Sequence, residues 1–283
     1  MSVWPKMRRI ATIAIGAAGG AAAYWYASKT IDKREVHNSW TTNFKPSEYS
    51  KWDYNWDHRE PRSLVEPISE MANPAVQNRF NEKLDKKRAK VTRHLILVRH
   101  GQYNMEGKND TERYLTEIGR KQAAISGQRL KHLGIDFDCI VRSTMTRAQE
   151  TAAIISSHFP ELKLHDDAML EEGAPAPPEP PVGHWRPEVS QFFEDGARIE
   201  AAFRKYFHRA DGHEKQDTYT LIVCHANVIR YFVCRALQFP PEAWLRISLG
   251  HASLTWISIM DDGRVTLRTL GETGHIPRDL LSR

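Results

Sequence analysis

A three-layer α/β fold, a mostly parallel sheet with helices on both faces and an antiparallel edge, is what the sequence predicts from residue 93 to the C-terminus. Three observations carry that expectation. Short apolar runs at 95–98, 139–141 and 219–224 read as strands buried on both faces. Stretches with helical spacing and start signals separate them. The last two runs, 254–260 and 265–270, flank Asp262-Gly263, a hairpin signal that places an antiparallel pair at the end of the chain.

Length and composition limit what else is present. With 283 residues, 41% hydrophobic and 27% charged, the chain is long enough for one good-sized core preceded by a long N-terminal extension. The formal charge of +5 is local, since Arg79, Lys83, Lys86, Lys87, Arg88, Lys90 and Arg93 stand against only Glu82 and Asp85. The remainder balances, which argues for a basic collar near anionic lipid or an acidic partner and against a surface that tracks nucleic acid. Cys139, Cys224 and Cys234 sit in apolar runs and cannot all pair, so they read as small hydrophobes in a reducing compartment.

In chain order, residues 10–28 lack any charged side chain and are flanked by Lys6, Arg8 and Arg9 before and Lys29, Lys33 and Arg34 after. About 19 residues nearly span a bilayer, with Tyr24, Trp25 and Tyr26 as an interfacial belt, so 1–29 reads as an N-terminal transmembrane anchor. A cleaved signal peptide ending near Ala21-Ala22-Ala23 is the alternative, weakened by the missing disulfide framework. Gly16 and Gly20 give one GxxxG spacing. Residues 30–92 read as a linker, closed by a basic helix that Asn73-Pro74 opens. Inside it, Trp52-Asp53-Tyr54-Asn55-Trp56-Asp57 concentrates aromatics where too little apolar sequence surrounds them, which points to docking on a second subunit, with folding back onto the same chain as the alternative. The folded domain, 93–283, then runs strand 95–98, a helix capped by Thr116 to about 132, strand 139–141, helix 147–158, helix 201–209, strand 219–224, helix 228–237 and the final hairpin.

Three of these strands deliver His or Arg to the same predicted sheet edge, where open α/β sheets bind ligands. Arg99 and His100 follow the first, Arg142 to Arg147 the second, His225 the third. One anionic group fits between Arg99, Arg147 and the two imidazoles, with the helix start at Arg147 adding N–H groups. A neutral His100 is then placed to attack phosphorus, His225 to donate a hydrogen bond or charge, and an acid to protonate the departing oxygen. Leu170-Glu171-Glu172-Gly173, before the proline-rich loop 174–181, is the candidate source of that acid. The two arginines already supply positive charge, and no ligand spacing suggests a metal or another cofactor.

The ordered set Arg99-His100-Gly101, Leu115-Thr116-x-x-Gly119, Ser143-x-x-x-Arg147-Ala148-x-x-Thr151-Ala152, Leu170-x-Glu172-Gly173 and His225-Ala226 resembles the phosphoglycerate-mutase-like histidine phosphatases. The N-terminal anchor, the Trp52–Asp57 stretch, Gly183-His184-Trp185 and residues 236–241 resemble that family's mitochondrial serine/threonine protein phosphatases. The resemblance implies His100 as phosphorylated nucleophile, Arg99, Arg147 and His225 as phosphate pocket, and Glu172 rather than Glu171 as proton donor. It further implies a homo-oligomer assembled through Trp52, Asp53, Asn55, Trp56 and Asp57 that switches on the active site. An anchor in a mitochondrial membrane, the outer one favoured, and phosphoprotein substrates such as signalling kinases, with phosphohistidine as another, follow from it as well. The segments that let glycolytic mutases retain a bisphosphate are not evident, so net hydrolysis is expected over mutase transfer. An acidic motif for a redox-sensor adaptor is not recognisable before Arg93. A small-metabolite phosphatase or mutase, and a scaffold with incidental catalysis, are the competing readings.

Overall fold

Strand β1 (Arg93–Arg99) alternates its apolar side chains between two cores, as a strand buried on both faces must. Leu95 and Leu97 join one cluster, Ile96 and Val98 the other. The structure is a computed structural model that describes residues 51–69, 71–183 and 187–283. Trp52 onward forms one compact unit. Its strands are β1, β2 (Cys139–Arg142), β3 (Leu164–Asp166), β4 (Thr218–Cys224), β5 (Leu254–Ile259) and β6 (Val265–Glu272), arranged β3-β2-β4-β1-β5-β6. The first four in that order are parallel; β5 pairs antiparallel with β1, and β6 with β5. The expected α/β architecture with an antiparallel edge is present.

Among the described residues, five α-helices complete it: α1 (Pro74–Lys87), α2 (Glu117–His132), α3 (Thr146–Ser156), α4 (Val189–Tyr206) and α5 (Ala226–Ala236). Leu130 of α2 and Ala152 and Ile155 of α3 pack on the Ile96 face, while Ile199 and Phe203 of α4 and Val228 and Phe232 of α5 pack on the Leu95 face. The chain therefore leaves β1 through α2 on one face and β4 through α5 on the other. Adjacent parallel strands whose connections diverge in this way open a crevice at their carboxyl ends.

Two start signals act as the sequence predicts. Thr116 Oγ1 accepts from the Gly119 N–H at 3.1 Å, and Asn73 Oδ1 from the Val76 N–H at 3.0 Å. Two elements depart from expectation. β3 is a three-residue edge strand too short for a periodic signal. Helix α4 starts twelve residues before 201, because Asp195-Gly196 interrupts an apolar pattern that Phe192 and Ile199 otherwise continue.

The stretch expected to be linker through residue 92 also departs from expectation, since the compact unit takes it in from Trp52. Trp56 donates its Nε1–H to the Gly263 carbonyl at 2.8 Å and packs against Phe203. The Asp57 side chain is fully buried against Arg209, itself 2% exposed, with Oδ1 2.9 Å from Nη2. A buried guanidinium needs a buried counter-charge, and Trp56 and Asp57 pack here against their own chain. Gly263, at φ +87° in the hairpin turn, leaves room for the guanidinium, where a Cβ would sit 2.4 Å from Arg209 Nη2. Asn55 Oδ1 closes the turn by accepting from the Glu60 N–H at 3.0 Å, and the Asp53 backbone pairs in both directions with the Gln238 side chain at 2.9 Å. Among the described residues no helix is long and apolar enough to cross a membrane; the expected anchor at 10–28 and Trp185 lie outside them.

Candidate active site

The register of the central strands assembles the site. Arg99 pairs with Cys224 across β1 and β4, so His100 and His225 emerge side by side, ring centroids 5.1 Å apart. Arg142 pairs with Val223, which sets Ser143 and the start of α3 beside them. The backbone after β1 is held close to α2: a Cβ on Gly119 would sit 1.9 Å from the Gln102 carbonyl oxygen. Only glycine permits that crossing.

His100 is 2% exposed, and its Nδ1 lies 2.9 Å from the Gly101 carbonyl oxygen. A carbonyl only accepts, so Nδ1 carries the proton and Nε2 keeps its lone pair. Arg147 Nε donates to that Nε2 at 3.2 Å. Burial first, then the charges of His225, Arg147 and Arg99, holds His100 well below the usual imidazole range, so it is neutral at physiological pH. His225, fully buried, is lowered in the same direction by burial and by Arg147 and Arg99, and its Nε2 is 2.8 Å from Ser143 Oγ. Burial brings Arg99 down to about 10, leaving it charged.

Three nitrogens of these side chains carry no hydrogen bond. Arg99 Nε, Arg147 Nη1 and His225 Nδ1 are buried and have no hydrogen-bond partner among the described residues. Buried donors of this kind are normally satisfied, and a tetrahedral oxyanion is a group that would satisfy several at once. Glu172 completes the ring. Its carboxylate and the His100 and His225 nitrogens lie within 4.8 Å of one another. Burial raises the Glu172 pKa, although Arg147, Arg99 and the Asn227 N–H at 3.2 Å oppose it. A carboxyl whose pKa burial raises, beside a neutral imidazole, has the make-up of a proton donor. His, His and Glu in one cluster have the make-up of a cation site, but the adjacent guanidiniums of Arg99 and Arg147 favour an anion there.

A family model described as the histidine phosphatase superfamily (branch 1) matches residues 95–273. The chain belongs to the histidine phosphatase superfamily. Relatives named "Serine/threonine-protein phosphatase Pgam5, mitochondrial" from Drosophila yakuba and Drosophila virilis are each 53% identical over 279 residues, covering 98% of this chain and 96% of the relative. Among solved structures, Bacillus stearothermophilus YhfR resembles it in fold, with 24% identity, a TM-score of 0.51, and coverage of 65% of this chain and 100% of that one.

In this histidine phosphatase, several residues that sequence reasoning did not single out support the site. Arg198 of α4 donates to the Glu171 carbonyl at 2.6 Å and the Glu172 carbonyl at 3.2 Å, while Asp195 accepts from the Ala174 N–H at 2.9 Å and pairs with Arg198 at 2.7 Å. Together they staple the acid loop to the helix. Glu171 faces elsewhere, accepting from Thr144 Oγ1. Of the N–H groups at the start of α3, expected to face a bound anion, that of Thr146 is already engaged: Asp110 Oδ2 accepts from it at 2.9 Å, and Oδ1 lies 3.6 Å from Arg147 Nη1. Tyr103 stacks under the Arg147 guanidinium at 4.8 Å. Cys224 is buried, and burial raises its thiol pKa, so it is no nucleophile despite preceding His225. The proline-rich loop is pinned by Trp244 Nε1 donating to the Ala176 carbonyl at 2.9 Å.

Proposed function

We propose that this chain is a mitochondrial serine/threonine protein phosphatase that works through a phosphohistidine on His100. The observation that carries the reading is the convergence of a neutral His100, whose Nε2 lone pair accepts from Arg147 Nε, with three buried nitrogens that lack a hydrogen bond and a carboxyl whose pKa burial raises. When a phosphomonoester enters, its oxygens take Arg99 Nε, Arg147 and His225 as donors, and Arg147 Nε shifts from His100 Nε2 to the anion. His100 Nε2 attacks phosphorus in line, the bond from phosphorus to the seryl or threonyl oxygen breaks, and the Glu172 proton passes to that oxygen. Water then attacks the phosphohistidine and gives its proton to the Glu172 carboxylate, and cleavage of the phosphorus–nitrogen bond frees phosphate and restores His100.

The same reading takes residues 1–29 as a single-pass anchor in a mitochondrial membrane, the outer one favoured, and 93–283 as the catalytic domain. Phosphoproteins, signalling kinases among them, are its substrates. Copies of the chain assemble through the 52–57 segment. Trp52 supports this, since its Nε1 is buried without a partner and, with Tyr54, it lines a cavity of about 330 Å³ beside Met260 and Val265.

The test is phosphate release from a phosphothreonine peptide, with 3-phosphoglycerate as competitor substrate, by the full chain in detergent and by its His100→Ala and Trp52→Ala forms. Peptide hydrolysis lost in His100→Ala, with little turnover of 3-phosphoglycerate, supports the reading. Activity surviving in His100→Ala would sink it, and retained activity in Trp52→Ala would separate assembly from catalysis. Trp52 is the better probe of assembly, because Trp56 is packed in its own core.

A further inference from the structure

The guanidinium of Arg99 does not hold itself in place. Nη1 donates to the Leu249 carbonyl at 2.6 Å and Nη2 lies 3.1 Å from His251 Nε2, both partners coming from the segment that enters β5. Because β5 runs antiparallel to β1, the start of β5 meets the end of β1, and this segment reaches the site. His251 is 5% exposed, with its ring 5.6 Å from that of His100. Arg99 can only donate, so His251 Nε2 must accept and its Nδ1 must carry the proton. That proton faces Ser282, the penultimate residue of the sequence: Oγ lies 2.9 Å from Nδ1, and the Ser282 backbone also hydrogen-bonds the ring.

Ser282 is itself held from two sides. The His251 N–H donates to the Ser282 carbonyl at 3.0 Å, and Gln122 Nε2 donates to Ser282 Oγ at 2.8 Å and to the Leu280 carbonyl at 2.6 Å. Gln122 is fully buried and uses its Oε1 to accept from the Gln102 N–H at 2.9 Å, in the loop that follows His100. The C-terminal residues are thus tied both to the loop after the nucleophile and, through His251, to an arginine of the pocket.

We propose that Ser282 and His251 are positioning residues: the Ser282 hydroxyl fixes the His251 tautomer that accepts from Arg99, and so keeps Arg99 Nε aimed at the phosphoryl group. The inference rests on Arg99 being a phosphate ligand, as proposed above. Without the hydroxyl, the buried Nδ1–H keeps only the Ser282 backbone, and the ring is freer to take the tautomer whose Nε2–H opposes Arg99. Neither residue touches the reacting atoms in this scheme. What changes is the grip on the anion rather than the chemical step.

The test uses the full chain in detergent and orthovanadate as a phosphoryl mimic, its affinity measured by calorimetry beside kcat and KM on the phosphothreonine peptide. Ser282→Ala is expected to weaken vanadate binding and raise KM by about three- to tenfold, with kcat within about twofold. Ser282→Thr restores both, and the melting temperature of Ser282→Ala stays near that of the parent. Unchanged vanadate affinity and KM in Ser282→Ala overturns the proposal, as does a loss that tracks a lowered melting temperature and that threonine does not rescue. Arg99→Ala separates the two levels. If it binds vanadate as well as the parent does, the pocket assignment falls and this inference with it; if it loses vanadate while Ser282→Ala keeps it, only the inference falls.

Discussion

Replacing Asp57 by alanine removes the counter-charge of the most deeply buried ion pair described in the chain, with side chains 0% and 2% exposed. Arg209 loses the acceptor of its Nη2 at 2.9 Å and of its Nε at 3.0 Å, and its backbone N–H loses the same carboxylate at 2.8 Å. What remains to it is the Tyr54 carbonyl. Burial pushes the Asp57 carboxyl up, but the hydrogen bonds and charge of Arg209 more than offset this and leave it below the usual carboxylate range. Stranding a buried guanidinium costs about 3–5 kcal/mol, a large share of the roughly 5–15 kcal/mol that holds a domain folded. Urea denaturation of the parent, Asp57→Ala and the double variant Asp57→Leu with Arg209→Met reads this out. The single variant should lose about 3–5 kcal/mol and the double variant far less, because an apolar pair leaves no orphan charge. The loss should also be the same at low and high protein concentration, since both partners belong to one chain. A single-variant loss below about 1 kcal/mol would refute the reasoning on burial, and a loss that grows on dilution would show that the segment docks between subunits.

Further perturbations have equally definite outcomes. Glu172→Gln should lower kcat by about 10²–10⁴-fold while vanadate affinity is kept, as stopped assays and calorimetry would show. Asp195→Ala unstaples the acid loop from α4 and should lower kcat about 10- to 100-fold with a small change in melting temperature. Gly119→Ala drives a Cβ to within 1.9 Å of the Gln102 carbonyl oxygen and should cost about 2 kcal/mol or more in urea. Burial lowers His208 to about 4 and His251 to about 3, so below pH 6.5 the unfolded chain takes up protons that the fold refuses. Stability should therefore fall as pH drops from 6.5 to 4, by up to about 1.4 kcal/mol per unit for each histidine, and be flat above pH 7 with respect to both.

The strands and their polar ends were legible because each is a local pattern: an apolar run followed at once by Arg99-His100, Ser143 or His225. Register then converts three local patterns into one site, and parallel pairing of β1 with β4 and β2 with β4 is what an α/β alternation predicts. Thr116 and Asn73 were legible for the same reason, a cap being a short-range signal. Asp110, Asp195, Arg198, His251 and Ser282 were not, since each acts across a distance in sequence that no periodicity spans. His251 carried the one usable sign: it lies just before an antiparallel strand that neighbours β1, and so at the catalytic edge. Trp56 and Asp57 were visible as residues in need of a partner, but nothing local in the sequence says whether that partner belongs to the same chain.

Asp110 has a further consequence. It already lies 3.6 Å from Arg147 and caps the start of α3, so one arginine of the pocket keeps part of a counter-charge before anything binds. On the proposed mechanism the pocket must let go of inorganic phosphate after every cycle, and an arginine with a standing alternative anion lets go sooner. On that mechanism, weak inhibition by inorganic phosphate is the expected outcome, and an Asp110→Asn form should bind phosphate more tightly.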